Sequence, residues 1–159
     1  MDTMAEHGPS WGEMPEVKLL HPVDVPANTF VIRRILESQP RSYEPFATVD
    51  ELVDAITRGT LQFWYYRRVF PFAEGAAVTS IQEYRTGVRT FKIEFWLCKN
   101  FWAASRALNE AIENKAAELG FRFVEASAHE TIAYAAVLKL GYEIAGIQIR
   151  KEIQPRRVN

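Results

Sequence analysis

Three β-rich runs succeed one another between Leu61 and Cys98, and their separators are too short for anything but tight antiparallel returns. This succession constrains the fold more than any other feature of the chain. Residues 61–70 are dense in Phe63, Trp64, Tyr65, Tyr66 and Val69. Residues 76–84 follow a break at 71–75, and residues 88–98 follow a Thr86-Gly87 turn. The three predict an antiparallel meander. In the third run, Phe91, Ile93, Phe95 and Leu97 alternate with Lys92, Glu94, Trp96 and Cys98. Side chains along a strand point alternately to opposite faces, so the first set predicts a core face and Glu94 lies on the other. The same alternation in the first run buries half of its aromatic residues and leaves half at a surface. There they would line an acceptor pocket or form a protein interface, a place where Trp, Tyr and Arg concentrate.

What surrounds the meander is helical with short strands. Residues 16–20 read as a first strand between Pro15 and Pro22, and residues 25–38 as a helix bounded by Pro26 and Pro40. Thr48 and Glu51 form a capping box before Val49, Leu52, Val53 and Ile56, and Gly59 closes that helix. After the meander, Ala104, Leu108, Ala111, Ile112, Ala116 and Leu119 line one side of a helix over 102–119, with Gly120 as its C-terminal glycine. A strand over 121–127, a helix over 129–140 ended by Gly141, and a β segment over 142–153 interrupted at Gly146 complete the order. Residues 1–14 read as a leader, 15–153 as one α/β (α+β) domain, and 154–159 as a loose tail.

Several function classes are excluded or disfavoured at this stage. The net charge of −1 supplies no basic field to hold a nucleic acid. The Arg33-Arg34 and Arg67-Arg68 pairs read as solvated faces. The single cysteine, Cys98, rules out an internal disulfide and a zinc site built on cysteine pairs. His7 and His21 are isolated and offer no metal-ligand spacing, and no metal is expected; His129, at a strand-to-helix junction, would face a ligand crevice or cap the helix. No stretch reaches the roughly 18 apolar residues of a membrane helix. These features fit a cytoplasmic protein.

An antiparallel meander feeding a helix, a parallel strand and a second helix resembles the GNAT N-acetyltransferases. The resemblance is carried by Arg106-Ala-Leu-Asn-Glu-Ala-Ile-Glu-Asn-Lys-Ala-Ala-Glu-Leu-Gly-Phe121 and by Ala133-Tyr-Ala-Ala-Val-Leu-Lys-Leu-Gly-Tyr142. It covers about the last 70 residues in sequence, and earlier ones in element order alone. It implies a mixed sheet whose third meander strand parts from the next parallel strand, admitting the pantetheine arm of acetyl-CoA or another acyl-CoA. Trp96, Leu97 and Cys98 would line that arm. The loop pattern R/Q-x-x-G-x-G/A, which wraps the pyrophosphate with backbone amides, falls on Asn100-Phe-Trp-Ala-Ala-Ser105. Asn100, Ala103, Ala104, Ser105 and Arg106 are thereby the implied cofactor contacts, with Lys99 assisting. Asn100 stands in place of Arg or Gln, and both glycines are absent. The other reading is the ordinary N-terminus of a buried helix.

Amine acylation needs a base for the acceptor ammonium and an acid for the departing thiolate. Glu94 holds the place of the family's strand carboxylate; the alternative is a solvated charge. Val137 stands where the family carries its Tyr, and Tyr134, one turn earlier, is the implied substitute if the helix is rotated or shifted; the alternative is a packed, hydrogen-bonded Tyr. Glu130 replaces a family Asn. Two functions follow: an acyl-CoA-dependent N-acyltransferase of altered motif, acting on a small-molecule or protein amine, or an inactive GNAT-like binding or assembly protein. Motif-poor chains of this size resemble the GNAT-like proteins of tailed phages, some of them virion components. Such a protein would make contacts through the 63–70 strand or the leader.

Overall fold

The computed structural model describes residues 17–38, 48–99, 101–126 and 139–143. Two units separate, Met1–Ser127 and Ala128–Asn159. The first contains strands β1 (Val17–Leu19), β2 (Gln62–Arg68), β3 (Ala73–Glu83), β4 (Arg89–Lys99) and β5 (Val124–Ala126). Its helices are α1 (Val25–Glu37), α2 (Val49–Thr57) and α3 (Phe101–Glu118). In the second unit, Lys139 and Leu140 are helical, and Gly141 follows with φ +75°, as a C-terminal glycine should.

The sheet runs β1-β2-β3-β4-β5, antiparallel except for the parallel β4–β5 pair. The expected meander is therefore β2-β3-β4, and the mixed α+β architecture is present. Local chemistry explains the helix ends. Thr48 accepts from the Glu51 amide, and Glu51 accepts from the Thr48 amide at 2.7 Å, satisfying amides that a helix start leaves unpaired. A 3-10 turn, Pro22–Asp24, leads into α1, where Pro26 sits at a position that needs no amide hydrogen.

Helices cover both faces of the sheet. On one, α1 and α2 pack Ile32, Leu36, Leu52 and Ile56 against Phe63, Ala76, Val78 and Leu97. On the other, α3 packs Ala104, Leu108, Ile112 and Ala116 against Trp64, Tyr66, Ala77, Phe91 and Ile93. This corrects the reading of residues 61–70 as half exposed. A central strand under helices on both faces is buried on both, so Phe63, Trp64 and Tyr66 are core and Tyr65 is half-buried. Among residues 61–70 only Arg67, Val69 and Phe70 are exposed. Trp64 Nε1 donates to Thr79 Oγ1 at 2.8 Å, which satisfies the one polar atom of a buried indole.

Two smaller differences follow from packing. The break expected at 71–75 is shorter, because Ala73, Glu74 and Gly75 already belong to β3. Leu119 is exposed rather than part of the α3 stripe, since α3 has ended at Glu118. Gly75 lies under α3, where a methyl group would come within 2.8 Å of Ala104 Cβ and 2.9 Å of Cys98 Sγ. Only a residue without a side chain lets α3 sit this close. On the opposite face, Glu74 is buried and ties α1 to β3, accepting from Arg34 and from Tyr65 Oη, each at 2.9 Å.

Candidate active site

The β3–β4 register fixes the position of Glu94. Val78 faces Phe95 and Thr79 faces Ile93, so Glu94 is an extra residue on β4 with no residue opposite it in the β3 ladder. This is a β-bulge, which bends and twists the strand that carries it. It also changes which side chains face which helix. Phe91 and Ile93 lie under α3, but beyond the bulge Phe95 and Leu97 join the α1–α2 core, while Trp96 and Cys98 turn to the α3 side. The single core face expected for Phe91, Ile93, Phe95 and Leu97 is thus two half-faces, divided at Glu94. The parallel pairing with β5 runs over Phe91–Val124, Lys92–Glu125 and Ile93–Ala126, so its described part ends immediately before the bulge.

Glu94 is held in place. Ser80 Oγ donates to Oε1 at 2.6 Å, and Lys92 Nζ lies 3.1 Å from Oε2. Ser80 and Lys92 face each other in the ladder, so the bulge delivers the carboxylate to a polar pair already on that face. Beside it on β5, Glu125 accepts from Tyr84 Oη and, at 3.1 Å, from Thr90 Oγ1. The bond to Glu125 raises the Tyr84 pKa, because ionising the phenol would set two anions side by side. Sequence reasoning singled out Glu94 as a candidate and did not name Ser80, Lys92, Glu125 or Tyr84 beside it. The Ser80–Lys92 pairing follows from the meander register, whereas the reach of Tyr84 to β5 has no signal in the sequence.

The remaining residues of interest lie where β4 meets α3. One residue, Asn100, separates the two elements. Phe101 to Ser105, five of the six residues aligned with the wrapping loop, are helical and open α3, where the first amides have no partner within the helix. Ala103 is half-buried, and Trp102 and Arg106 are exposed. Ala104 and Ser105 turn inward and are fully buried against the sheet. Ser105 Oγ has no aligned hydrogen-bond partner. It approaches Cys98, where burial pushes the thiol up to about 11, with Ser105 and the Ala76 backbone opposing part of that rise. Cys98 is therefore a neutral packing group at ordinary pH. Asn100, His129, Glu130, Tyr134 and Val137 lie outside the described residues. Among the described residues no group of three or more His, Cys, Asp or Glu could hold a metal ion, and no helix is long and apolar enough to cross a membrane.

No protein-family model and no curated protein matches the sequence. Solved structures do. An acetyltransferase from Trypanosoma brucei aligns with a TM-score of 0.57 at 18% identity, over 88% of this chain and 100% of its own. A ribosomal-protein-alanine N-acetyltransferase from Brucella melitensis biovar Abortus 2308 aligns at 0.60 and 14% identity, over 90% and 100%. An aminoglycoside N-acetyltransferase in complex with CoA aligns at 0.61 and 15%, over 95% and 99%. The chain has the GNAT acetyltransferase fold. Identities this low carry the fold alone. The GNAT structures it matches differ in acceptor, an aminoglycoside in one and a ribosomal-protein alanine in another, so the fold does not choose the acceptor.

Proposed function

We propose that this GNAT-fold chain is an N-acyltransferase, taking an acyl group from acetyl-CoA or a related acyl-CoA and passing it to a cationic amine. The observation that carries the reading is the bulge at Glu94, which sets a fixed carboxylate on β4 at the point where described pairing with β5 ends. Trp96, Leu97 and Cys98 on the following stretch of β4 would flank the pantetheine arm. Asn100, Ala103 and Arg106, with the first-turn amides of α3, would meet the phosphates. Ala104 and Ser105 would act through their small size, letting that turn lie against the sheet. Acyl-CoA supplies a thioester activated toward attack.

Glu94 would take a proton from the acceptor ammonium, directly or through a water, freeing the nitrogen lone pair for the thioester carbonyl. Ser80 and Lys92 occupy its two oxygens, so an incoming ammonium replaces Lys92 at Oε2 while Ser80 keeps the carboxylate oriented. Tyr134 would return a proton to the departing thiolate. A second reading, a binding protein of the same fold without catalysis, is favoured by the single residue between the bounds of β4 and α3 and by the absence of both loop glycines from the sequence. Calorimetric titration with acetyl-CoA and with CoA, followed by thiol-release assays over a panel of amines, separates the two. Micromolar binding abolished by Ala103→Glu, with thiol released on adding an amine, supports the enzyme. Binding without release from any amine supports the second reading, and no heat from either ligand defeats both.

A further inference from the structure

The β2–β3 connection ends in Val69, Phe70, Pro71 and Phe72, where Phe70 is 83% exposed, Val69 52% and Phe72 48%. Apolar side chains exposed together at a strand connection mark a contact surface. Arg67 and Arg68 precede them on successive strand positions and so flank the tip from the two faces of the sheet. Arg68 Nε donates to the Pro71 carbonyl at 3.0 Å, which keeps that charge beside the tip. Neither arginine is paired with a carboxylate among the described residues. Glu74, directly across from Arg67, is committed to Arg34 and Tyr65.

We propose that this tip is a docking wedge for an anionic lipid surface. A planar interface meets the geometry as it stands, because Phe70 enters the acyl boundary while cations on both sides of the sheet reach headgroup phosphates. Two copies joined tip to tip would bring four arginines together, which like-charge repulsion opposes. A protein partner would have to offer a cleft with acidic walls on both sides of the sheet. A four-residue tip also covers much less than the roughly 800 Å² per partner of a stable protein interface. With few anchoring side chains the binding is reversible and salt-sensitive.

The test is co-sedimentation of the full chain with phosphatidylcholine vesicles, with and without phosphatidylserine. The wild type is expected to pellet with the anionic vesicles alone, to be released by salt, and to lose roughly fivefold in partitioning for each of Arg67→Ala and Arg68→Ala. Phe70→Ser is expected to abolish pelleting with the melting curve unchanged, since the side chain touches little of the core. Phe70→Trp gives an independent readout, a blue shift of its fluorescence on anionic vesicles. Equal pelleting of wild type and Phe70→Ser, equal pelleting on both vesicle types, or no blue shift overturns the assignment and leaves the tip to a protein partner.

Discussion

Gly75→Ala probes how closely α3 must approach the sheet. The added methyl group would sit 2.8 Å from Ala104 Cβ, 2.9 Å from Cys98 Sγ and 3.0 Å from Leu108 Cδ1. Leu108 can turn the end of its side chain away, but the Ala104 Cβ moves only with the helix backbone. Overpacking of this kind costs about 1–3 kcal/mol. The loss of glycine freedom in the unfolded chain returns about 0.4–1 kcal/mol. The net expectation is about 1–2 kcal/mol of destabilisation, a fall in Tm of roughly 2–8 °C for a chain of this size. Because Ala104 lies in the first turns of α3, the helix start is displaced too, so acyl-CoA affinity should fall with Tm. Urea unfolding and thermal melts followed by circular dichroism measure the first effect. Pairing the change with Ala104→Gly removes the nearest contact, so the double variant should lose at least about 0.5 kcal/mol less than the two singles added together. A Gly75→Ala protein as stable as the wild type, or strictly additive singles, would refute the close-approach argument.

Three further outcomes are expected. Trp64→Phe removes the donor to Thr79 Oγ1 inside the core and should cost about 1–3 kcal/mol in urea unfolding; a loss below 0.5 kcal/mol would mean the bond contributes little. Cys98 holds its proton longer in the folded chain than in the unfolded one, from its ordinary 9.0 up to about 11. Its contribution is therefore fully present below pH 9.0 and is lost as the pH rises through 11, about 3 kcal/mol in all. Cys98→Ala should flatten that alkaline fall, and an unchanged slope would place its cause elsewhere. Glu94→Gln keeps an acceptor for Ser80 but no base, so kcat should drop about 10²–10⁴-fold with acetyl-CoA binding intact; unchanged turnover removes Glu94 from the chemistry.

Much of the scaffold was legible because local signals and tertiary packing agree. The capping box at Thr48 and Glu51, the Pro26 start of α1 and the α3 stripe all appear where their chemistry places them. What was not legible depends on neighbours distant in sequence. The aromatic density of β2 reads as a surface only while its cover is unknown; α3, some 40 residues later, buries Trp64 and Tyr66. Ala73, Glu74 and Gly75 look like a continuation of a turn, and become strand because they pair with Arg68, Arg67 and Tyr66.

The bulge is the sharpest case, since no glycine or proline marks it and the alternation from Phe91 to Leu97 is unbroken in sequence. An unbroken alternation over a regular ladder would have put all four apolar residues under α3. Instead the extra residue lets Phe91 and Ile93 serve one core and Phe95 and Leu97 the other. Deleting Glu94 tests whether that residue is structural or functional. With it gone, Ile93 and Phe95 become adjacent, still opposite Thr79 and Val78, and every later side chain keeps its present face. The fold loses contacts to Ser80 and Lys92 at a partly exposed position, about 0–1 kcal/mol for the ion pair, and gains a regular ladder. Stability should therefore stay within about 1 kcal/mol of the wild type. Acyl transfer should vanish, because carboxylate and bend go together. A large drop in Tm would mean that the two cores need the bulge for their packing. A deletion variant that still transfers acyl groups would show that the site lies elsewhere.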